Sequence, residues 1–131
     1  MIYATIYWTS TILLSLLYLA SATLYIRTPE VARAGQSALG YSAPHLIPLM
    51  IVVKILGPLA IVSRASVALS DLAYAGFFYH LSLSILAHLG VRSVKGAFPA
   101  IIGLILLIAS FATQNLARAA QSPYAPHLLP F

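Results

Sequence analysis

The chain of 131 residues contains no cysteine. Without a thiol it can form no disulfide bond, no thiolate metal site and no dithiol redox pair. This absence excludes a membrane thiol oxidoreductase that works alone. The spacing of the four histidines does not predict a metal site. Two histidines on different helices could ligate a haem, although nothing in the sequence requires one.

Charge is also scarce. Charged residues make up 7% of the chain, against about 25% in a typical soluble domain. The mean hydropathy is +0.96, and the only acids are Glu30 and Asp71. So few charges cannot cover a soluble protein of this size, and we predict an integral membrane protein with one domain, residues 1–131. The net charge of +5 comes from scattered basic residues, which are typical of helix-end anchors and not of a nucleic-acid-binding face.

Four apolar stretches account for most of the chain. Each is close to the roughly 20 residues that cross a bilayer as a helix, and helices are required because lipid cannot hydrogen-bond the backbone. The sequence therefore predicts an all-α, multi-pass four-helix bundle in a bacterial-type plasma membrane. The first stretch has no basic residue before it, so we expect it to remain as a membrane anchor and not to be cleaved as a signal peptide. The predicted helices span about residues 2–26, 46–62, 70–89 and 97–116.

The connection between the first two stretches has helix signals of its own. Thr28-Pro29-Glu30 has the order N-cap, first-turn proline and first-turn acid, and Gly40 is a natural stop. We predict a short amphipathic helix from Pro29 to Leu39 on the membrane face. The tail from Ser122 contains three prolines, so we expect it to lie along the membrane surface without forming a continuous helix.

Basic residues set a predicted orientation. They are more numerous on the side of the connections that follow the first and third helices, which places both termini outside the cytoplasm by the positive-inside rule. On that side are Arg27, Arg33, Arg92 and Lys95, and on the other Arg64 and Arg118.

One lysine lies within the second apolar stretch. Lys54 is eight residues from the start of that helix, which places it about 12 Å from the nearer interface. A charged lysine at a helix centre costs about 2.5–3.5 kcal/mol on insertion scales. Pro58 cannot donate a hydrogen bond to the Lys54 carbonyl, and Gly57 lets a backbone or a ligand approach closely. A charge, a free carbonyl and a kink in one turn are typical of a helix that lines a cavity.

The third apolar helix supplies the groups predicted to face this lysine. Counted from the short connection, Tyr79 and His80 lie at its depth. Asp71 and Tyr74 share a stripe nearer the connection, whereas His88 lies deeper, towards the other surface. The candidate ligand-binding residues are therefore Lys54, Gly57, Asp71, Tyr74, Tyr79, His80 and His88.

Several arrangements could offset the charge of Lys54. The amine could be neutral, or it could donate to Tyr79, to His80 or to backbone carbonyls. It could reach Glu30 or Asp71, or it could bind a ligand that carries a carbonyl or anionic oxygen. A lysine that only braces the bundle by hydrogen bonds is the alternative to a functional pocket, and His80 taken alone favours a packing role.

Four short runs form a series along the chain: Leu39-Gly40-Tyr41, Lys54-Ile55-Leu56-Gly57, Asp71-Leu72-Ala73-Tyr74-Ala75-Gly76-Phe77-Phe78 and Ala87-His88. In order and spacing, from about residue 12 to 116, the chain resembles the DoxX-like family of small four-helix membrane proteins. Asp71 stands where the family commonly has Glu. Tyr79-His80 stand where an acid often follows the Phe pair, which removes a possible counter-ion for Lys54.

The resemblance implies association with other membrane proteins. Relatives in the DoxX-like family include a subunit associated with a thiosulfate:quinone oxidoreductase and members of membrane redox-defence complexes, and a distant animal branch assists receptor assembly. No cofactor is evident in the sequence. The resemblance to the DoxX-like family is compatible with a quinone as cofactor.

Two interpretations of function follow. The first is an accessory subunit that works by association with membrane proteins or with copies of itself, in a complex that could be quinone-linked. The second is an enzyme or binding protein for a lipophilic molecule such as a quinone or an isoprenoid, with Lys54, Tyr79 and His80 as polar groups in an apolar pocket. Lys54 or His80 could then transfer protons, so catalysis is left open. The lack of a complete catalytic set favours the first.

Overall fold

Five α-helices make up the fold of residues 1–129, which are the residues that this computed structural model describes. They are α1 (Ile2–Arg27), α2 (Pro29–Ala38), α3 (Leu46–Ser63), α4 (Val67–Gly90) and α5 (Val94–Ala117). No strand is present in this part of the chain. The predicted all-α bundle, with four long helices and a short one after the first, is confirmed.

Helices α1, α3, α4 and α5 are each long and apolar enough to cross a membrane. Large apolar side chains cover their outer faces, among them the exposed Leu72, Leu86 and Ile105. Such a surface is unfavourable in water, whereas in a bilayer it contacts lipid tails. The chain is therefore a multi-pass membrane protein in contact with the lipid bilayer, as its composition predicts.

The four long helices form a closed ring. Helix α1 packs on α5 and α3, and α4 packs on the same two helices from the opposite side. Because successive long helices reverse direction, every helix in the ring is antiparallel to its neighbours. Helices α1 and α4 lie across the diagonal, where the rings of Tyr18 and Phe77 stack with centroids 3.8 Å apart. Leu14, Ile61 and Leu107 complete the buried core around this pair.

Two serines explain why α4 and α5 begin earlier than predicted. Helix α4 begins at Val67 because the Ser66 hydroxyl accepts a hydrogen bond from the Leu69 N–H at 3.3 Å. Helix α5 begins at Val94 because the Ser93 hydroxyl accepts from the Gly96 N–H at 3.3 Å. Both are side-chain N-caps, which satisfy N–H groups that a helix start leaves open. The predicted starts at residues 70 and 97 followed the apolar residues and missed these caps.

Helix α2 lies at one end of the bundle, against α1 and α3. It begins with Pro29 in its first turn and buries Ala32. Gly40, with φ of +92°, ends it by turning the chain into a left-handed conformation. The Tyr41 N–H then donates to the Gln36 carbonyl at 2.9 Å. The helix thus ends at Ala38, one residue before the predicted end, and the turn leads the chain back towards α3.

The opposite end of the bundle carries a polar clasp made by α3, α5 and the tail. The Arg118 guanidinium donates to the Val62 carbonyl at 2.8 Å and lies over the Trp8 ring at 4.9 Å. Asn115 holds the tail: its side-chain amide donates to the Ser122 carbonyl at 2.9 Å, and its oxygen accepts from the Ser122 N–H at 2.7 Å. The amide also donates to the Ala125 carbonyl at 3.3 Å. From residue 122 to 129 the tail forms no helix, as predicted, and its first residues are tied to the bundle. The last two residues of the predicted tail lie outside the described residues, and its place along the membrane surface stays a prediction.

Replacing Asn115 by alanine should loosen this clasp. The change leaves buried backbone groups of Ser122 and Ala125 without partners, which costs about 1–3 kcal/mol. Thermal unfolding in detergent measures the loss as a lower Tm, and limited proteolysis should cut the tail sooner. The control is Thr23→Ala, because the exposed Thr23 hydroxyl bonds only to a carbonyl of its own helix. Equal Tm values for the two variants would contradict a stabilising role for the clasp.

Candidate functional site

A cavity of about 550 Å³ occupies the half of the bundle next to α2. All five helices contribute to its wall, and most of the side chains are apolar. Its polar groups are few and lie on different helices. The lining residues are Leu17, Tyr18, Ser21, Leu24, Tyr25, Val31, Ala32, Gly35, Gln36, Leu39, Tyr41, Leu46, Met50, Lys54, His80, Leu81, Leu83, Ser84, Ala87, His88, Pro99 and Ala100.

Lys54 lies in the wall of this cavity and is only 4% exposed. Its ammonium group lies 5.3 Å from the ring centroid of Tyr18 and 4.9 Å from that of Tyr25. Both distances fall in the range in which a ring face attracts a cation. Within residues 1–129 the amine makes no hydrogen bond and no ion pair. Of the arrangements that the sequence left open, the reach to an acid does not occur here, and two rings of α1 take its place.

The Tyr18 ring is held in position by packing from α4 and α3. It stacks on Phe77 with an angle of 11° between the ring planes. The Phe77 ring in turn fills the space that a Cβ on Gly57 would occupy. Gly57 therefore admits an aromatic ring of α4, and not a ligand or a backbone. A row of contacts leads from Gly57 through Phe77 and Tyr18 to Lys54.

His80 belongs to the same polar group. Its Nδ1 atom lies 2.8 Å from the Tyr18 hydroxyl, a hydrogen bond in which the donor depends on the tautomer. When the hydroxyl donates to Nδ1, the other ring nitrogen, Nε2, carries the proton and can donate to a group in the cavity. Tyr18 thus connects two polar side chains from α3 and α4, one through its ring face and one through its hydroxyl.

His88 lies in the wall nearer the end of α4. Its Nδ1 atom is 2.8 Å from the Ser84 carbonyl, one turn earlier in the helix. Its ring packs against Gly96 of α5, where an added Cβ would overlap it. This packing fixes the histidine as part of the α4–α5 contact, with one edge towards the cavity.

Helix α2 covers the end of the cavity and is tied to α1. The Gln36 side-chain amide donates to the Tyr25 hydroxyl at 2.8 Å. The same tyrosine presents its ring to Lys54. The covering helix and the buried amine therefore share one side chain as a common partner.

The cavity wall is also part of the outer surface of the bundle. Leu83 lines the cavity and is 57% exposed on α4, and Val31 on α2 likewise lines it with an exposed side chain. Lining residues with exposed side chains indicate that the cavity opens to the outside of the bundle. Because Leu83 lies in a membrane-spanning helix, the cavity is in contact with the surrounding lipid there.

Three of the seven predicted site residues meet in this cavity, namely Lys54, His80 and His88. The prediction that Tyr79 faces Lys54 is wrong: its side chain is 66% exposed on the outside of α4. Tyr79 has the correct depth, but adjacent residues of a helix point about 100° apart. His80 therefore faces inward while Tyr79 faces lipid.

Two more predicted residues, Tyr74 and Asp71, lie in the other half of the bundle and do not line the cavity. The Tyr74 hydroxyl is 2.6 Å from the Ser110 hydroxyl, which is itself 2.6 Å from that of Thr11. This hydroxyl cluster ties α1, α4 and α5 together. Asp71 is half-buried, and its Oδ1 atom has no hydrogen-bond partner among residues 1–129. The depth difference along α4 separates both residues from Lys54.

Sequence reasoning missed three residues of the site: Tyr18, Tyr25 and Gln36. A signal for the tyrosines was present. Tyr18 lies nine residues before the end of α1, close to the depth that the same count gives Lys54 in the antiparallel α3. Tyr18 and Tyr25 are also seven residues apart, so they share one helix face. Depth counting applied to α1 as well as to α4 would have found them.

Within residues 1–129, no three His, Asp or Glu side chains come together as a group that could hold a metal ion. The polar groups in the cavity could instead meet oxygen atoms of an organic molecule. In comparisons of the whole chain, no family model, curated protein or solved structure matches it. The resemblance to the DoxX-like family therefore stays a prediction, and function has to be inferred from the cavity itself.

Gly57→Ala should destabilise the bundle, because the new Cβ would overlap the Phe77 ring. Overpacking of this kind costs about 1–3 kcal/mol, which outweighs the gain of about 1 kcal/mol for alanine over glycine in a helix. The matched control is Gly76→Ala, where nothing lies within 4 Å of the Cβ position. Thermal unfolding in detergent should show a lower Tm for G57A than for G76A. A Tm of G57A at or above that of G76A would mean that Phe77 does not pack here.

Proposed function

We propose that this protein binds a lipophilic small molecule within the membrane, in the cavity that all five helices line. The observation that carries the proposal is a cavity of about 550 Å³ with an apolar wall and a buried, unpaired lysine. Ligand sites are typically clefts of about 300–1,000 Å³ with a few placed polar groups in an apolar lining. Size and lining both agree with that pattern.

The polar groups indicate how such a molecule is oriented. The Lys54 ammonium and the His80 ring are both able to donate hydrogen bonds, and both line the cavity and contact Tyr18. An oxygen-bearing head group would lie there, with its apolar body towards α2 and the opening beside Leu83. A quinone or the polar end of an isoprenoid satisfies this description through its oxygen atoms. Both are lipophilic and reach the site from the bilayer.

The predicted orientation gives the cavity a side of the membrane. Helix α2 lies on the side of Arg27 and Arg33, which the positive-inside rule assigns to the cytoplasm. In a bacterial-type plasma membrane, the proposal thus places the bound molecule in the cytoplasmic half of the bilayer.

The interpretation as an accessory subunit, in a quinone-linked redox complex or with other membrane partners, stays a prediction. It needs a protein-binding face, and it needs no cavity. A binding protein needs the cavity and can work alone or beside a partner. Ligand-binding measurements on the isolated chain therefore separate the two.

A tryptophan at position 35 offers a direct test of binding. Gly35 lines the cavity, and nothing lies within 4 Å of the place of its Cβ. The Cβ of Gly35→Trp therefore meets no neighbour, and we expect the indole to obstruct the cavity and weaken binding, while the Tm in detergent changes little. The probes are a short-chain menaquinone and geranylgeraniol, detected by native mass spectrometry together with any lipophile that co-purifies with the wild type.

The matched control is Ala34→Trp, on the exposed outer side of the same helix. It should bind like the wild type. If G35W keeps the same bound mass as A34W, the ligand does not lie in this cavity. If the wild type neither carries a lipophile nor takes up a probe, binding is not the function and the accessory role becomes the better interpretation.

A further inference from the structure

We infer that the cavity selects a lipophilic monoanion, namely a single-chain carboxylic acid whose carboxylate pairs with Lys54. This inference rests on the proposed function and narrows it to one class of ligand. It starts from the charges that line the cavity and from the partners that the buried amine lacks.

Among residues 1–129 the lining contains one lysine, no arginine and no acid. Lys54 is in the wall, whereas neither acid of the chain lines the cavity. Glu30 is exposed on α2, and Asp71 lies in the other half of the bundle. A buried charge in apolar surroundings needs a counter-charge or hydrogen bonds, and among residues 1–129 the amine has neither. The missing counter-charge is therefore expected from the ligand.

The two tyrosine rings account for only part of what the ammonium group needs. Tyr18 and Tyr25 each offer a ring face. A ring face attracts the cation, but it is not a conventional hydrogen-bond acceptor for the ammonium N–H groups. An ammonium group has three donors and no acceptor. A carboxylate is the reverse, with two oxygens that only accept. His80, through the ring nitrogen that does not face Tyr18, can donate to the second oxygen.

The count of cations favours a single negative charge. A phosphate monoester carries about −1.5 to −2 at neutral pH, and the lining holds no arginine and no second lysine to match it. Neutral head groups such as an alcohol or a quinone carbonyl can accept a hydrogen bond but leave the charge of Lys54 uncompensated. A carboxylate carries one negative charge, which matches the one positive charge of a protonated Lys54.

The shape of the lining suits one chain. Leu17, Leu24, Leu46, Met50 and Leu81 give the space beside the polar groups an apolar wall. The volume of about 550 Å³ lies in the range of sites for drug-sized molecules. This leaves room for a single alkyl or isoprenoid chain, and the exposed Leu83 marks where it meets the lipid.

The test uses three probes with one C16 chain: palmitic acid, hexadecanol and hexadecyl phosphate. Binding to the full chain in detergent is measured by native mass spectrometry at neutral pH, where by their ordinary pKa values a carboxylic acid is ionised and an amine is protonated. The wild type should bind palmitate about tenfold or more tightly than hexadecanol, as expected for a close charge pair, and more tightly than the phosphate. Lys54→Arg should keep this preference. Lys54→Met should bind acid and alcohol equally.

The outcomes separate this inference from the proposed function. Equal binding of palmitate and hexadecanol to the wild type overturns the choice of an anion and leaves a lipophile site intact. Tighter binding of hexadecyl phosphate overturns the single charge. Loss of all binding, with no co-purified lipophile, removes the proposed function itself. If Lys54→Met fails to fold, the wild-type ratios and Lys54→Arg still decide, with Gly35→Trp as the variant in which palmitate binding should weaken.

Discussion

A single ammonium group, buried in a membrane bundle and held against two tyrosine rings, is the interaction on which the site depends. A charge in this position is costly unless something compensates it. Among residues 1–129 no carboxylate lies beside Lys54, which has ring faces from α1 and lies in the wall of the cavity. Whatever solvates that ammonium group contributes to the stability of the bundle, and the proposed ligand would do so as well.

The position of the amine is in turn determined by packing across the bundle. Gly57 leaves space for the Phe77 ring, Phe77 supports Tyr18, and Tyr18 meets both Lys54 and His80. These contacts join α3, α4 and α1 at one depth. Other contacts hold the rest of the bundle. The hydroxyl cluster of Thr11, Tyr74 and Ser110 ties α1, α4 and α5 together. At the end far from α2, Arg118 and Asn115 form the polar clasp. The polar groups of the cavity thus stand on packed helices, and the Gln36 side chain ties the covering helix α2 to Tyr25 of α1 at 2.8 Å.

Local signals in the sequence were enough for the fold and not for the site. The lengths of the apolar stretches, Pro29 and Gly40 identify the helices because each acts within a few residues. The early starts of α4 and α5 were signalled by Ser66 and Ser93, but a boundary drawn by hydropathy passes over a capping serine. Depth along a helix can be counted, so Lys54 and His80 were matched correctly. The direction in which a helix face points cannot be counted in the same way. The neighbouring residues His80 and Tyr79 therefore have similar depths but face the interior and the lipid, respectively. The order of helices in the ring, which brings α1 beside α3, depends on long-range packing that no short pattern contains.

The cavity lies to one side of the bundle's midpoint. Its wall runs from the covering helix to Lys54, which is halfway along α3, and the other half of the interior is filled by the core and the hydroxyl cluster. A molecule held here is therefore level with the acyl chains of one leaflet only. Packed side chains of the core and the hydroxyl cluster separate the cavity from the opposite leaflet, so the proposed ligand would exchange with the nearer leaflet alone. Under the proposed function, the protein would therefore respond to the lipid composition of one monolayer.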